Sequence, residues 1–563
     1  MFKKKKLIRI SKNLKNKKDW KNNVKVSNKK PKLSLEQSRI VERILEDKKF
    51  IPWLLVGITG SGKTEVYLRL IENTLILGKQ TLMLVPEISL TPQTTKRFNE
   101  RFNVPIEVLH SSLNNREKFF IWERSKNGEN AIVIGTRSAL FTNFKDLGLI
   151  IVDEEHDNSY KQQNGWCYHA RNMAIWRAKK EKIPIIMGTA TPSLESLFNV
   201  EIGKYRRIDL TKRPKGILPS HYVHDLKGKP LICNLSRSLI QNIKYHISQN
   251  NQVMLFLNRR GYSPILICHK CGYVSECLRC DHYYTLHRNK KKIECHYCNQ
   301  QLPIPIRCSN CSSNRLISLG FGTEKLEEKI RQIFPNIPVS RIDKDTIKNT
   351  KLLQQKLSLI REKKARILIG TQMLAKGHHF PNVTLVALMD IDGVFFSNDY
   401  RASEKFAQLF TQVSGRAGRS EKKGEVILQT YHPKHPVLSS LLRKGYNEFA
   451  LEILKERKEF LLPPYSNHVI IRSEDLQGSF SLIFLKKIKK IILKHTKDKR
   501  LYLSDPIPSV KPKKRGLFRW LLLIQHDSKS FLNFLLSNLT QKIQKVPERK
   551  QVRWNIDVDP IEH

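Results

Sequence analysis

Two sets of short apolar runs constrain the fold most, because each run is followed by polar turn residues and then by a helical stretch. The first set lies at residues 81–85, 131–134, 149–152 and 185–187. The second set lies at residues 252–257, 367–369, 384–388 and 425–429. Mostly β-branched runs of this length, with helices between them, are typical of buried parallel strands. The sequence therefore predicts an α/β protein with two parallel-sheet lobes.

Eight of the ten cysteines fall into four C-x2-C pairs that interrupt the second set of runs. The pairs are Cys268/Cys271, Cys277/Cys280, Cys295/Cys298 and Cys308/Cys311. Both thiolates of such a pair can meet one tetrahedral ion, and four thiolates close a structural zinc site. We therefore predict two Zn²⁺ ions, and we disfavour redox pairs because four pairs lie within 44 residues. Iron–sulfur ligation is the weaker alternative, and the spacing does not fix which pairs share an ion.

Lysine and arginine outnumber aspartate and glutamate by 101 to 51, which gives a formal charge of +50. A polyanion would relieve this self-repulsion, and nucleic acid is the first candidate because Lys and Arg release counterions from phosphates. The alternative is biased residue usage in a chain rich in Lys, Asn and Ile. No apolar stretch approaches the ~20 residues needed to span a bilayer, so no membrane partner is expected.

Residues 1–32 carry fourteen Lys or Arg and one acidic residue. They lack the apolar core of a signal peptide, and we expect a basic arm that is disordered or loosely held. Paired cysteines of the zinc type favour a reducing compartment over an oxidising one. The expected location is therefore the cytoplasm, in association with the nucleoid.

A phosphate-loop motif lies between an apolar run at residues 53–56 and a helical stretch at residues 65–76. Its residues are Gly57, Ile58, Thr59, Gly60, Ser61, Gly62, Lys63 and Thr64. The glycines let backbone N–H groups wrap phosphates at a helix N-terminus. Lys63 is expected to reach the β- and γ-phosphates and Thr64 to bind Mg²⁺. ATP and Mg²⁺ are the predicted cofactors.

The apolar run at residues 149–152 ends in Asp153, Glu154, Glu155 and His156. Asp153 is placed to hold Mg²⁺ through water, and Glu154 is placed to orient and deprotonate the attacking water. We assign all four residues to the nucleotide site. The alternative is an acidic surface turn, which the phosphate loop earlier in the chain disfavours.

Arg416 and Arg419 lie three residues apart, close to one helical turn, in a segment that begins at Gln412. A motor needs a second lobe that senses the γ-phosphate, and two such arginines can reach transition-state charge from across a cleft. The alternative is a solvated arginine pair. Together with Lys63 and Glu154, the two arginines complete the predicted catalytic set.

The order of these motifs resembles that of superfamily 2 helicases. Gln37 resembles the adenine-recognising glutamine that precedes the phosphate loop in those enzymes. Their motifs Ia, Ib, III and V resemble residues 84–93, 135–138, 188–192 and 370–377. A closer similarity to the PriA family of primosomal helicases lies in the cysteine block and at residues 154–163, 258–262, 377–381 and 390–393.

The resemblance implies two RecA-like helicase lobes, a zinc-binding insertion in lobe 2 and a small α+β C-terminal domain. We expect the arm at 1–32, lobe 1 at 33–225, lobe 2 at 226–267 and 313–450, the insertion at 268–312 and the C-terminal domain at 451–563. The family also implies nested zinc sites. One site would use Cys268, Cys271, Cys308 and Cys311, and the other would use the remaining four paired cysteines.

The family implies ATP-dependent 3′→5′ unwinding of DNA at stalled or collapsed replication forks, followed by primosome assembly. The expected partners are branched and single-stranded DNA, the single-strand DNA-binding protein and other primosome components, and the chain is expected to act as a monomer. One alternative is a fork-binding scaffold with dispensable ATPase. Another is an RNA helicase, which the cysteine block and residues 153–156 disfavour.

Two local features carry further expectations. Family members usually have an N-terminal DNA-binding domain that recognises a 3′ end, then a winged helix, and both are expected to be missing here. Two explanations stay open: this chain is a reduced form of the family, or its true start lies further upstream. After the acidic cluster, Tyr160 and Lys161 are expected to stack on a base and touch phosphate, with a packed loop aromatic as the alternative.

Overall fold

The computed structural model describes most of the chain. The described residues are 20–22, 24–27, 30–47, 50–86, 92–213, 218–232, 234–258, 265–280, 282–287, 291–295, 298, 300–318, 322–343, 346–347, 350–362, 364–375, 380–418, 422–496 and 498–562. They form two compact units. Unit 1 takes its described residues from 1–162, 168–192 and 199–214. Unit 2 takes its described residues from 163–167, 193–198 and 215–563.

A seven-stranded parallel sheet forms the centre of unit 1. Its strands are β1 (Pro52–Gly57), β2 (Gln80–Leu84), β3 (Ile106–Leu109), β4 (Ile132–Gly135), β5 (Leu147–Asp153), β6 (Ile185–Thr189) and β7 (Arg206–Leu210). They lie in the order β3-β4-β2-β5-β6-β1-β7. Every residue of β1, β2 and β4 is buried, as expected for strands that lie between two layers of helices.

Helices cover both faces of this sheet. They are α1 (Leu35–Glu46), α2 (Lys63–Ile76), α3 (Pro92–Arg101), α4 (Asn115–Lys126) and α5 (Ala170–Glu181). The next helix, α6 (Leu194–Glu201), begins in unit 2 and packs in the core of the second lobe. Side chains of α1, α2 and α3 pack on one face with Leu55, and side chains of α4 and α5 pack on the other face with Leu54. Successive strand residues point to opposite faces, so one apolar run supplies both cores.

Part of the basic arm is ordered, so the expectation of disorder up to residue 32 is wrong. Trp20 is buried in the same core as α1 and α2, and its Nε1 donates a hydrogen bond to the Gly128 carbonyl at 2.8 Å. Val26 forms a β-bridge with Phe102. The physical reason is that a few apolar side chains find a core to join, and burying one contributes about 1.5–3 kcal/mol.

A six-stranded parallel sheet forms the second lobe, within unit 2. Its strands are β8 (Ser220–Asp225), β11 (Gln252–Leu257), β17 (Val339–Ile342), β18 (Ile367–Gly370), β19 (Val383–Met389) and β20 (Glu425–Thr430), in the order β17-β18-β11-β19-β20-β8. A short hairpin of β9 (Leu231–Ile232) and β10 (Leu235–Ser236) follows β8. β8 pairs with β20, so residues 220–225, expected at the end of lobe 1, lie in the second sheet.

The helices of the second lobe surround its sheet. They are α7 (Arg237–Ser248), α8 (Thr323–Ile333), α9 (Thr350–Arg361), α10 (Gln372–Ala375), α11 (Asp392–Phe395), α12 (Ala402–Ser414) and α13 (Pro436–Glu459). α12 is the most buried of these, because Phe406, Ala407 and Val413 all lie in the lobe's main core. This helix leads directly to Arg416.

The cysteine block forms a module of short antiparallel strands between β11 and β17. β12 (Leu266–Cys268) pairs with β16 (Leu316–Ser318), and β13 (Thr285–His287), β14 (Lys292–Glu294) and β15 (Gln301–Pro303) form a second small sheet. Few apolar side chains are available to hold such short strands together. A module of this kind needs a further cross-link, which four thiolates around an ion supply.

The C-terminal part is an α+β domain. Its antiparallel strands are β21 (Asn467–Asp475), β22 (Tyr502–Leu503), β23 (Ile507–Lys514), β24 (Leu517–His526) and β25 (Arg553–Val558). The helices α14 (Ser479–His495) and α15 (Lys529–Ile543) pack on this sheet around Ile471, Ile488 and Leu522. In the part of the chain that the structure describes, no helix has the length and apolar character to cross a bilayer.

Candidate nucleotide site and metal centres

The phosphate loop connects β1 to α2 and takes the backbone conformation that its glycines allow. Gly60 and Gly62 both have φ of 88°, in the left-handed region that a side chain disfavours. A Cβ on Gly62 would also collide with the amide nitrogen of Gln37. A loop of this type turns successive N–H groups towards one point at the N-terminus of the following helix, where an anion is favoured.

Lys63 is the first residue of α2, and its ammonium group folds back over the loop. Its Nζ donates a hydrogen bond to the carbonyl oxygen of Gly57 at 2.6 Å. The charge is therefore held beside the position that the loop's N–H groups surround. It also lies close enough to Asp153 to lower the pKa of that carboxyl group.

Asp153 ends β5 and lies beside α2. The hydroxyl of Tyr67 donates a hydrogen bond to its Oδ1 at 3.0 Å. Burial of the carboxyl group and repulsion from Glu154 raise the pKa of Asp153 to about 7, although Lys63 and Tyr67 lower it. A carboxylate in this environment gains from a nearby divalent cation, so the donor chemistry fits Mg²⁺.

Glu154 has φ of 48°, which is uncommon for a residue with a side chain. Such strain is found at functional sites, where the surrounding structure holds it. His156 follows on the same turn, and its Nδ1 lies 2.7 Å from Oγ1 of Thr189 and 3.7 Å from Oε2 of Glu154. Thr189 Oγ1 also accepts a hydrogen bond from the Thr191 N–H at 2.9 Å. The acidic cluster is thus connected to the segment that resembles motif III.

Glu155 has a different environment from its neighbours. Its side chain is fully buried, and Oε2 accepts a hydrogen bond from Nη1 of Arg171 at 2.7 Å. A buried carboxylate paired in this way is costly to expose. The pair holds Glu155 beside the turn that carries Glu154, and the contact of Glu155 with the nucleotide stays a prediction.

Gln37 contacts the phosphate loop directly. Its Nε2 donates a hydrogen bond to the Ser61 carbonyl at 3.0 Å, and its Oε1 accepts one from the Ser34 N–H at 3.0 Å. The second contact belongs to the capping box that begins α1. Gln37 therefore joins α1 to the loop, and its recognition of adenine stays a prediction.

The expectation that Tyr160 stacks on a base is wrong. Its ring is 1% exposed in the core on one face of the sheet, and its hydroxyl donates a hydrogen bond to the Asp153 carbonyl at 2.6 Å. Lys161 is buried as well. The exposed aromatic of this loop is Trp166, which is 68% exposed and belongs to unit 2.

The two predicted arginines belong to unit 2. Arg416 lies on the turn that follows α12, is 7% exposed, and donates its backbone N–H to the Val413 carbonyl at 2.9 Å. Arg419 lies outside the described residues, as do residues 87–91, 259–262 and 376–379 of the predicted motifs. The approach of these arginines to the nucleotide stays a prediction.

The eight paired cysteines form two groups of four. Cys268, Cys271, Cys308 and Cys311 form one group, and Cys277, Cys280, Cys295 and Cys298 form the other. The nested arrangement that the family implies is therefore confirmed. Sγ atoms of opposite pairs lie 3.6 and 3.7 Å apart in the first group and 3.5 Å apart in the second. A Zn–S bond of about 2.3 Å gives Sγ separations of about 3.8 Å in a tetrahedron, so both groups fit zinc.

The thiols within each group differ in pKa: burial and the neighbouring thiols raise the pKa of Cys280 and Cys308, whereas the pKa of one thiol in each group is lowered. Burial raises the pKa of Cys277, but the N–H of Arg279 and the neighbouring thiols lower it further, to about 6. Burial also raises the pKa of Cys271, which the N–H of Tyr273 and other groups nevertheless lower to about 7. Thiolates, rather than thiols, are zinc ligands.

Sequence reasoning missed three positioning residues of this site, namely Tyr67, Arg171 and Thr189. Tyr67 lies four residues after Lys63 on α2, so helical periodicity could have placed it on the same side as the lysine. Thr189 lies in the segment that resembles motif III, but nothing in the sequence pairs it with His156. The partner of Glu155 carries no local signal, because Arg171 is 16 residues away.

Comparison with known proteins adds to this geometry. The DEAD/DEAH box helicase family matches residues 34–200, and the helicase conserved C-terminal domain matches residues 306–421. Replication restart protein PriA of Haemophilus influenzae is 47% identical over 529 residues, which are 94% of this chain and 72% of that protein. PriA of Rickettsia felis is 38% identical, over 94% of this chain and 81% of its own length. PriA of Bacillus subtilis is 37% identical, over 92% of this chain and 65% of its own length.

A solved structure of the DEAD-box helicase Mss116 bound to single-stranded RNA is 14% identical, with a TM-score of 0.47 over 83% of each chain. The phosphate loop, the acidic cluster at the end of β5 and the two cysteine groups are the features on which the assignment depends. The chain belongs to the replication restart protein PriA family of superfamily 2 helicases, and it is an ATP-dependent DNA helicase.

Proposed function

We propose that this chain moves 3′→5′ on DNA at stalled or collapsed replication forks, unwinds them and initiates primosome assembly. The observation that carries the proposal is the arrangement at the carboxyl edge of the first sheet. There the helix that begins at Lys63 meets the carboxylates after β5, since Tyr67 of that helix donates a hydrogen bond to Asp153 at 3.0 Å. The relatives that are named replication restart protein PriA support the choice of forks.

The predicted site residues of unit 1 have the following proposed roles in ATP hydrolysis. The loop from Gly57 to Thr64 binds the phosphates, and Lys63 neutralises the β- and γ-oxygens. Asp153 and Thr64 would hold Mg²⁺, which neutralises charge on the phosphates when it is bound. Glu154 orients and deprotonates the attacking water. Gln37 recognises adenine.

Unit 2 has two proposed contributions. Arg416 and Arg419 stabilise the negative charge that develops on the transferred phosphoryl group, as arginine fingers do. Each cysteine group binds one structural Zn²⁺, and the module that they hold acts either as a pin that splits the duplex or as a docking surface for primosome proteins. The single-strand DNA-binding protein is the first such partner.

DNA binding is proposed to be independent of sequence. An excess of 50 positive charges favours phosphate contacts, which carry no base information. Branched and single-stranded DNA are the substrates, a monomer is the active form, and the nucleoid in the cytoplasm is the location.

A Lys63→Ala variant tests the proposal, because it removes the charge that faces the phosphates. Unwinding of a forked duplex and replication restart in cells would both be lost if hydrolysis drives the reaction. Restart that survives without hydrolysis would contradict the proposal and favour the fork-binding scaffold. Stimulation of the wild-type ATPase by RNA as strongly as by single-stranded DNA would favour an RNA helicase.

A further inference from the structure

The chain passes from unit 1 to unit 2 immediately after the segment that resembles motif III. Thr189 and Thr191 belong to unit 1, and residues 193–198 belong to unit 2. Thr189 contacts His156, which lies on the same turn as Glu154. Residues 193–198 are therefore the first part of unit 2 that follows the motif III-like segment along the chain.

Within unit 2, residues 193–198 are held by both apolar and polar contacts. Leu194 and Leu197 are buried in the main core of the second lobe, and the ring of Phe198 packs edge-on against Tyr465 at 4.9 Å between centroids. The backbone N–H of Leu194, at the start of α6, donates a hydrogen bond to Oε1 of Glu404 at 3.1 Å. A carboxylate at the N-terminus of a helix is stabilised by its N–H groups and dipole.

Glu404 is itself held by a buried ion pair. Nη2 of Arg457 donates a hydrogen bond to its Oε2 at 2.6 Å, and the side chains of Glu404 and Arg457 are 6% and 2% exposed. The guanidinium of Arg457 also lies 5.1 Å from the centre of the Tyr400 ring. Breaking such a buried ion pair is strongly destabilising, so Glu404 is held by Arg457.

The same helix carries Glu404 and leads to Arg416. Glu404 lies in the first turn of α12, which ends at Ser414, two residues before Arg416. A helix of this length is a rod of about 20 Å, since each residue adds 1.5 Å. A displacement of its first turn therefore moves the turn that holds Arg416.

We propose that Glu404 is a positioning residue that couples hydrolysis to movement of the second lobe, by binding the Leu194 N–H. The path runs from Glu154 through His156 and Thr189, then along the covalent chain to residues 193–198, and from there through Glu404 along α12 to Arg416. The inference rests on the proposed function in one respect, because it assumes that ATP hydrolysis drives the unwinding of DNA.

A matched pair of double variants tests the role of the hydrogen bond. Glu404→Met with Arg457→Met removes both charges and the acceptor, whereas Glu404→Gln with Arg457→Met removes both charges and keeps an acceptor oxygen. Replacing both members of a buried ion pair with apolar residues of similar size is generally tolerated. The measured quantity is the number of base pairs unwound for each ATP hydrolysed, with the KM for ATP and the Tm as companion readouts.

We expect the Met/Met variant to unwind about tenfold fewer base pairs per ATP, a typical strength of coupling between two sites. The Gln/Met variant should stay close to the wild-type ratio, and the KM for ATP should not change in either. A purely structural role would make the loss follow the Tm. Equal ratios in the two variants, whether wild-type or reduced, would overturn the proposal.

A second pair leaves the ion pair intact and remains informative if the double variants do not fold. Leu194→Pro removes the N–H at the first helical position, where proline is accepted, and Leu194→Ala keeps the N–H. We expect reduced unwinding per ATP in Leu194→Pro relative to Leu194→Ala, and equal ratios would overturn the proposal. The wild-type protein is measured in the same assay, so its failure to unwind would contradict the proposed function and not the coupling.

Discussion

The hydroxyl of Tyr67 donates a hydrogen bond to Oδ1 of Asp153 at 3.0 Å, and this contact joins the helix after the phosphate loop to the end of β5. Glycine is required at position 188 for the same reason, because a Cβ there would occupy the position of the Tyr67 hydroxyl. The carboxylate that is proposed to hold Mg²⁺ is therefore oriented by a residue outside the recognised motifs.

Tyr67→Phe should shift the pH dependence of ATP hydrolysis. Burial and Glu154 raise the pKa of Asp153 to about 7, while the Tyr67 hydroxyl lowers it. Removal of the hydroxyl raises this pKa further, so the acidic limb of the pH profile of kcat/KM should move to higher pH. A profile that overlays the wild-type profile would contradict the ionisation of Asp153 as a requirement for activity.

Arg416→Ala should reduce the kcat for ATP by about 10³-fold, because an arginine finger stabilises charge that exists only in the transition state. The affinity for ATP should be retained, and equilibrium binding of a fluorescent ATP analogue checks this. Arg457→Ala is not a suitable control because it breaks a buried ion pair. Arg443→Ala, at an exposed position, serves as the control and should leave kcat unchanged.

Asp392→Asn should raise the stability of the second lobe in a pH-dependent way. Burial raises the pKa of Asp392 from 3.8 to about 7, although hydrogen bonds from Thr430 and Tyr431 lower it. Below pH 3.8 both the folded and the unfolded state are protonated, so the variant gains nothing from this source. As the pH rises to about 7, ionisation of the unfolded state increasingly destabilises the wild type.

Above a pH of about 7 the gain in the free energy of unfolding from Asp392→Asn should be constant. The rise of the Asp392 pKa from 3.8 to about 7 corresponds to a gain of about 4 kcal/mol at most. Thermal unfolding of both proteins across this pH range measures it. A difference in stability that does not vary with pH would contradict the raised pKa.

Loss of one zinc ligand should remove one ion. We expect two zinc ions per chain in the wild type and one in Cys280→Ala, measured by elemental analysis, while Cys167→Ser should retain both because Cys167 is in neither group.

Chelation of zinc should damage unwinding or partner loading more than basal ATPase, since the module is separate from the hydrolytic turn in the chain. Equal loss of both activities would mean that the zinc module holds the second lobe together.

Trp20→Ala should destabilise unit 1 by about 3–5 kcal/mol, the usual cost of removing a buried aromatic side chain. Trp20 is 5% exposed and makes a hydrogen bond to Gly128, which the variant loses as well. Trp176→Ala is the matched control, because this tryptophan is 58% exposed on α5. Denaturant unfolding measures both, and equal effects would contradict the ordered position of Trp20.

The sheets and the phosphate loop could be predicted from sequence because local physics dictates them. Strands that are buried on both faces need unbroken apolar runs, and Gly60 and Gly62 supply backbone conformations that other residues disfavour. Paired thiolate spacing likewise predicts metal ligands. Each of these signals lies within a few residues of sequence, so it can be recognised without knowledge of the fold.

The remaining features depend on partners that are distant in the chain. Tyr160 is buried because a core forms around it, and Glu155 is paired with an arginine on α5. β8 lies at the edge of its sheet, where a strand needs fewer apolar residues, so its sequence did not separate it from the first lobe. In each case a residue distant in the chain decides the burial or pairing of the side chain, and the local sequence pattern does not identify that residue.

The position of residues 193–198 in unit 2 has a practical consequence for protein production. A fragment that ends before residue 215 would contain the whole first sheet, yet Leu194, Leu197 and Phe198 would have lost the core in which they are buried. We expect such a fragment to expose these three apolar side chains and to self-associate through them. We therefore expect a cut between the two sheets to give an ATP-binding half that aggregates more readily than the whole chain.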